Sequence, residues 1–168
     1  MKAQQETHLD VNFNKKENFL EIFQLNWQSI KLSINPIENS QMVLKRYAQA
    51  VHLDDHSLPY FCLYLVRRIG NDYRVVRRLQ NFESPYLTLL TENKRNSGSS
   101  LNGAINSIIV RKSYWDCGYD EDLYQNKAAL NIIYWQALHE IEKSYVLANK
   151  DIRSRLTTLQ AMGDKIEV

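Results

Sequence analysis

Glycine is scarce in this chain, with five in 168 residues, and none of them forms a glycine-rich phosphate loop. Cysteine is scarcer still. Cys62 and Cys117 are too few and too far apart to be a disulfide framework, and Cys62 sits in an apolar run as a small buried hydrophobe. A reducing, intracellular compartment is the natural reading. No window approaches the eighteen or so apolar residues of a membrane span, and the polar start, Met-Lys-Ala-Gln-Gln-Glu-Thr-His, lacks the apolar core of a signal peptide. The expectation is a soluble protein that can still sit on a membrane surface. A net charge of +2 brings no general attraction to nucleic acid, so any basic effect must be local.

Catalytic and metal chemistry are also thinly represented. Cys117 precedes Gly118, but no motif ties a histidine to it. His52 and His56 are spaced i, i+4 around Asp54 and Asp55, yet they fall in a loop before Pro59 without a third ligand. No catalytic residue, cofactor or metal is expected. Asn35-Pro36-Ile37-Glu38 begins like an NPxY signal, but Glu38 replaces the aromatic residue and a strand-to-helix turn explains it better. No internal repeat is visible.

What is present is an ordinary folded composition, 44% apolar and 24% charged, in a length that allows one medium domain or two small ones. Residues 1–17 are polar and aperiodic. Two strands follow, 19–25 and 28–34, with Ile30, Leu32 and Ile34 alternating with Lys31 and Ser33, and Asn26-Trp27 as the turn. Pro36 ends the second strand. Asn39 or Ser40 then caps a helix to about Val51, with Val43, Tyr47, Ala50 and Val51 on one side. Tyr60 to Ile69 is apolar on both faces, as a central strand requires. Gly70-Asn71-Asp72 turns the chain into a strand over 73–79. The prolines in Leu58-Pro59-Tyr60 and Ser84-Pro85-Tyr86 mark turns whose tyrosines pack. Thr91 to Gly103, rich in Asn, Ser and Gly, reads as a mobile loop before a strand over 105–112.

From Ile108 to Asp116 the periodicity changes from strand to helix. Leu130, Ile133, Tyr134, Ala137, Leu138, Ile141 and Tyr145 form one helical stripe, widened by Ala129, Ile132 and Trp135. A short helix near 120–125 and a weaker one over 149–162, with Ile152, Leu156 and Leu159 in phase, complete the pattern. That is thin cover: leaving roughly 300 Å² exposed forgoes about 7 kcal/mol at ~25 cal/mol per Å². The helical module reads as unfinished at Val168. The ββαββ order before it is that of a ubiquitin-like grasp, so the class is α+β.

Longer motifs carry a family. Tyr60-Phe61-Cys62-Leu63-Tyr64-Leu65-Val66, the run Val76 to Tyr86, Arg111-Lys112-Ser113-Tyr114-Trp115-Asp116 and Ala129 to Ala137 resemble the FERM region of the sorting nexin 17 family, which includes sorting nexins 27 and 31. Ala3-Gln4-Gln5-Glu6-Thr7 looks like the end of the PX domain that precedes that region. The resemblance implies a tail over 1–17, a ubiquitin-like F1 lobe of Ras-associating type over 18–112, and part of a helical F2 lobe over 113–168. It also implies a non-catalytic adaptor, cytoplasmic and peripheral on early endosomes, that recycles receptors. Its PX domain would bind phosphatidylinositol 3-phosphate, and its third FERM lobe the NPxY-type signals of transmembrane cargo. The chain departs from that plan in carrying neither the PX body nor the third lobe, so no lipid or cargo residues carry over, and its loop from Asn93 to Gly103 looks longer than the family form. A stand-alone Ras-associating signalling module is the alternative.

Two residue groups are candidates for function. Arg67, Arg68, Arg74, Arg77 and Arg78, opposed locally by Asp72, could meet anionic lipid or an acidic partner such as a Ras-like GTPase, at ~1 kcal/mol per basic residue near an anionic membrane. Strand alternation turns Arg68 away from Arg67 and Arg78 away from Arg77. Tyr114 and Trp115 are expected to fill the seam between the lobes, so that Trp115→Ala would cost roughly 3 kcal/mol if the ring is buried.

Overall fold

The computed structural model describes residues 17–70, 72–96 and 103–163. Residues 1–16, the middle of the 70–72 turn, residues 97–102 of the expected mobile loop and the last five residues lie outside them. Five strands, β1 (Asn18–Phe23), β2 (Ser29–Ile34), β3 (Phe61–Ile69), β4 (Asp72–Arg78) and β5 (Ala104–Lys112), form one sheet in the order β2-β1-β5-β3-β4. The last strand in the chain is thus the middle one in space. It runs parallel to β1, with Ile22 opposite Ile108, and antiparallel to β3 from Phe61–Lys112 to Ile69–Ala104. Its β-branched run suits that place, since Ile108, Ile109 and Val110 are fully buried, Ile108 and Val110 on one face and Ile109 on the other. This is the β-grasp expected, with β3 also internal.

The β1–β2 hairpin turns without glycine. Trp27 takes the left-handed conformation at φ 64°, and the Asn26 side chain accepts from the Gln28 N–H at 3.0 Å. A non-glycine residue there costs about 1–3 kcal/mol. The indole recovers much of it through edge contacts with Phe23 and Tyr73 and through the Arg68 guanidinium 4.8 Å above its ring.

Helix α1 (Ser40–Val51) starts where expected, its Asn39 cap accepting from the Met42 N–H at 2.9 Å. Val43, Tyr47 and Ala48 enter the core, while Ala50, expected beside them, lies at the exposed rim. A second helix, α2 (Pro85–Asn96), corrects the expectation of a loop from Thr91. Its composition is polar, which hid it. The start signal was nevertheless written in Ser84-Pro85: proline occupies the first helical position, where its missing N–H is no loss, and Ser84 Oγ accepts from the Leu87 N–H at 3.2 Å. Tyr86 and Leu89 pack on the core, and Asn93 accepts from Asn106 of β5 at 3.0 Å.

After β5 a 3₁₀ segment (Cys117–Leu123) leads into α3 (Lys127–Glu142) and then α4 (Lys150–Gly163). α3 is rotated from the expected phase. Ala129, Ile132, Gln136 and His139 are its buried residues, whereas Leu130 and Tyr134 of the expected stripe are exposed.

Ile108→Ala should cost about 2–5 kcal/mol in urea unfolding, and Asn39→Ala about 1 kcal/mol. Equal losses would show that β5 is not the strand the sheet depends on.

Candidate functional site

Cross-strand register distributes the arginines. Arg67 stands opposite Arg74, and Leu65 opposite Arg77, so these three arginines share the sheet face of Leu65. Arg68 opposite Tyr73 and Arg78 opposite Tyr64 belong to the other face. Arg74 and Arg77 meet on one face despite odd spacing because the register shifts between Leu65 and Val66, leaving Val76 as an extra residue in β4. Local partners take up part of the charge. Arg77 pairs with Glu83 at 2.7 Å and holds that carboxyl below its usual range, Arg67 donates to Asn106 at 3.4 Å, and Arg68 covers Trp27. Arg74 and Arg78 are exposed.

The second group of residues joins the sheet to the helical segment. Arg111 Nη2 meets Glu140 Oε1 at 3.0 Å; Gln136 Oε1 accepts from the Lys112 N–H at 3.0 Å while its Nε2 donates to the same Glu140 oxygen at 2.9 Å. Tyr60 donates to Asp122 at 2.8 Å and Tyr114 to Asp120 at 2.5 Å, and Lys112 lies 3.6 Å from Asp120. Asn126 Nδ2 donates to Asp54 at 2.7 Å, whose carboxyl is held below its usual range chiefly by the Ser57 N–H. Burial and the Asp120 bond push the Tyr114 phenol upward. Of these, Tyr114 is the one that the sequence marks as a seam residue between the lobes. The available signal was Gln136 and Glu140, an i, i+4 polar pair inside an apolar helix.

Tyr114 is half-buried and packs edge-on against Tyr60 and Tyr119 at 5.6 and 5.7 Å. Trp115 does not join it. At 93% exposure its ring lies in water, because β5 ends at Lys112 and the chain then turns the neighbour of Tyr114 outward. The large cost expected from removing it is corrected accordingly.

A cleft of about 750 Å³ opens beside β4, lined by Arg67, Asp72, Tyr73, Arg74, Arg111 and Tyr145 among others. The His139 ring packs on the lining residue Tyr73 at 4.6 Å, with Nε2 buried and without a hydrogen-bond partner among the described residues. Burial, together with Lys143 and Arg111, pulls the imidazole below its ordinary range. Lys143 also reaches Asp72 at 3.1 Å, tying the end of α3 to the start of β4. His52 closes α1 in a left-handed conformation and His56 rests near Tyr60, so the two do not converge. Among the described residues no cluster of His, Cys, Asp or Glu is arranged to hold a metal, and no helix is long and apolar enough to cross a membrane.

Residues 18–115 match the family model for sorting nexin 17/27/31, FERM domain, F1 lobe, and residues 116–168 that for sorting nexin 17/31, FERM domain, F2 lobe. Sorting nexin-17 of Danio rerio is 36% identical over 167 residues, covering 99% of this chain and 33% of its own length. The Homo sapiens sorting nexin-17 is 33% identical over the same span, and Homo sapiens sorting nexin-31 is 30% identical over 147 residues, 86% of this chain and 31% of its own. The chain therefore spans about a third of the length of these curated relatives. Among solved structures, the MyTH4-FERM MF1 domain of Dictyostelium discoideum myosin VII superposes with a TM-score of 0.59 at 11% identity, covering 80% of this chain and 26% of that one. The Drosophila merlin FERM and C-terminal domain complex gives 0.52 at 9% identity, covering 79% and 39%. These structural matches show the FERM-like fold.

Trp115→Ala should change unfolding free energy by no more than about 0.5 kcal/mol, whereas Tyr114→Phe, which removes the hydroxyl's bond to Asp120 and leaves that carboxylate to Lys112 at 3.6 Å, should cost about 1 kcal/mol. His139 gives a pH prediction. Its folded pKa lies below its unfolded one, so the unfolded chain takes up the proton more readily and stability falls as pH drops through the ordinary imidazole range. His139→Phe should shrink the loss of melting temperature between about pH 7.5 and 5.5, a window centred on the ordinary value of about 6.5. An unchanged loss would assign that slope to other groups.

Proposed function

The chain belongs to the sorting nexin 17/27/31 family of FERM proteins, and from that membership we propose that it acts as a non-catalytic adaptor segment in endosomal sorting and recycling of transmembrane cargo. The observation that carries this reading is the match of both lobe models, in series and over nearly the whole chain, to a fold in which a β-grasp is docked on a helical segment. The lobes are proposed to span 18–112 and 113–168, beside family-model matches over 18–115 and 116–168. The Arg111–Glu140–Gln136–Lys112 bonds support treating them as a single body, which an adaptor needs in order to present two surfaces in fixed relation.

Cargo tails with NPxY-type signals and membranes containing phosphatidylinositol 3-phosphate are proposed as partners of a protein with the family's full plan, acting at early endosomes. Within this chain, Arg67, Arg68, Arg74, Arg77 and Arg78 are proposed as the surface toward an anionic partner, with Arg74 and Arg78 the best presented. The alternative of a stand-alone Ras-associating module has no observation of its own beyond the β-grasp it shares.

Removing the gene in cells and following a receptor whose cytoplasmic tail carries an NPxY signal should lower its return to the cell surface and raise its lysosomal loss. Re-expression should restore both. Unchanged recycling and turnover would rule out the sorting role, and impaired binding of a Ras-like GTPase in its place would favour the alternative.

A further inference from the structure

β4 is an edge strand, and among the described residues no strand lies beyond it. One row of its N–H and C=O groups therefore points away from β3, ready to pair with another extended chain. Its side chains are sorted in an unusual way. Tyr73 and Val75 stand on the face of Val66, while Arg74 and Arg77 stand on the face of Leu65. Over Tyr73–Arg77 one side of this edge is thus apolar and the other cationic, and at Arg78 a charge returns to the side of Tyr73 and Val75.

Beside it lies the cleft of about 750 Å³, to which Arg67 and Arg111 add positive charge and Ile69 and Tyr145 exposed apolar surface. Of the acids nearby, Asp72 is engaged by Lys143 and Glu140 by Arg111. Beyond the Lys143–Asp72 and Arg111–Glu140 pairs, the described lining presents the exposed guanidinium of Arg74.

We propose that β4 receives an extended segment of a partner protein by strand addition, and that the segment alternates acidic with apolar side chains. The period of two in a strand places every second residue of the incoming segment on the arginine side and the others against Tyr73 and Val75. Acidic residues would meet Arg74, with Arg67 and Arg77 behind it, and apolar residues would cover Val75, which is 36% exposed. A second copy of the chain fits badly, because two β4 edges would set arginine against arginine. A membrane fits badly too, because the arginines are divided between two faces and a lipid surface reaches only one at a time. The proposal rests on reading the arginines as an anionic-partner surface and is independent of the sorting role.

The test uses the whole chain and two fluorescein-labelled octapeptides of one composition, one alternating Glu with Val and the other with Glu and Val in separate blocks. The alternating peptide should bind at least about fivefold tighter by fluorescence anisotropy, roughly 1 kcal/mol. Arg74→Glu should weaken it about tenfold, the scale of one charge-assisted contact, while Lys45→Glu on α1, the same change in net charge, should alter it by less than about twofold. Unchanged thermal melting would certify the folding of both variants, and hydrogen exchange with the bound peptide should slow amides of β4 and leave those of β2 unaffected. Equal binding of both peptides, still sensitive to Arg74→Glu, would overturn strand addition and keep the anionic surface. No binding of either peptide would overturn both, as would equal effects of the two charge reversals. Protection at β2 in place of β4 would also overturn the assignment to this edge.

Discussion

Ile108, Ile109 and Val110 are withdrawn from water on both faces of a single strand, and the neighbours of that strand on either side hold the rest of the sheet. β1 reaches it in parallel and brings β2; β3 reaches it antiparallel and brings β4. Because β5 arrives last in the chain, neither hairpin can join the other until it is in place. The sheet is completed by contacts distant in sequence, which makes it slow to assemble relative to its local hairpins. It also leaves two outer strands, β2 and β4, as the only edges of the sheet among the described residues.

The end of the same strand begins the joint to the helices. Arg111 and Lys112 present a side chain and a backbone N–H to Glu140 and Gln136, one helical turn apart on α3, and Gln136 also bonds Glu140. Arg111 and Glu140 are only partly withdrawn from water, so the net contribution of their ion pair is modest, while Gln136 is buried. The geometric consequence is larger, because any other rotation of α3 would leave the Lys112 N–H and the Arg111 guanidinium without these acceptors. That rotation sends Ala129 and Ile132 inward and leaves Leu130 and Tyr134 facing water. It also brings His139 onto Tyr73 and Lys143 onto Asp72, two residues that line the cleft beside β4.

The arginines show how local pairing changes the meaning of a charge cluster. Five positive charges close in sequence become a divided surface once Arg77 is held by Glu83, Arg68 lies on Trp27 and alternation sends Arg78 to the opposite face from Arg77. The register shift at Val76 then restores some of what alternation removed, bringing Arg74 and Arg77 to a common side. An edge whose Tyr73–Arg77 stretch has one apolar and one cationic side is more selective than a uniformly basic one, since a ligand must match both.

Strands and helices with strong local signals were legible in the residues: the alternation of Ile30, Leu32 and Ile34, the two apolar faces of Phe61–Ile69, and the Asn39 cap all act within a few positions. The family was legible too, because its motifs are stretches of consecutive residues. Helix α2 was not read, since its polar composition resembles a loop and its start lies in Ser84-Pro85. Tertiary structure alone decided three matters. It set the rotation of α3, which buries Ala129, Ile132, Gln136 and His139 and exposes Leu130 and Tyr134 of the expected stripe, because Gln136 and Glu140 supply the acceptors that Lys112 and Arg111 need. It placed Trp115 in water and Tyr114 against the core, because adjacent residues beyond a strand end diverge according to where the chain turns next. And it put β4 at an edge, because strand order depends on long-range pairing through β5, which no local pattern in the sequence encodes.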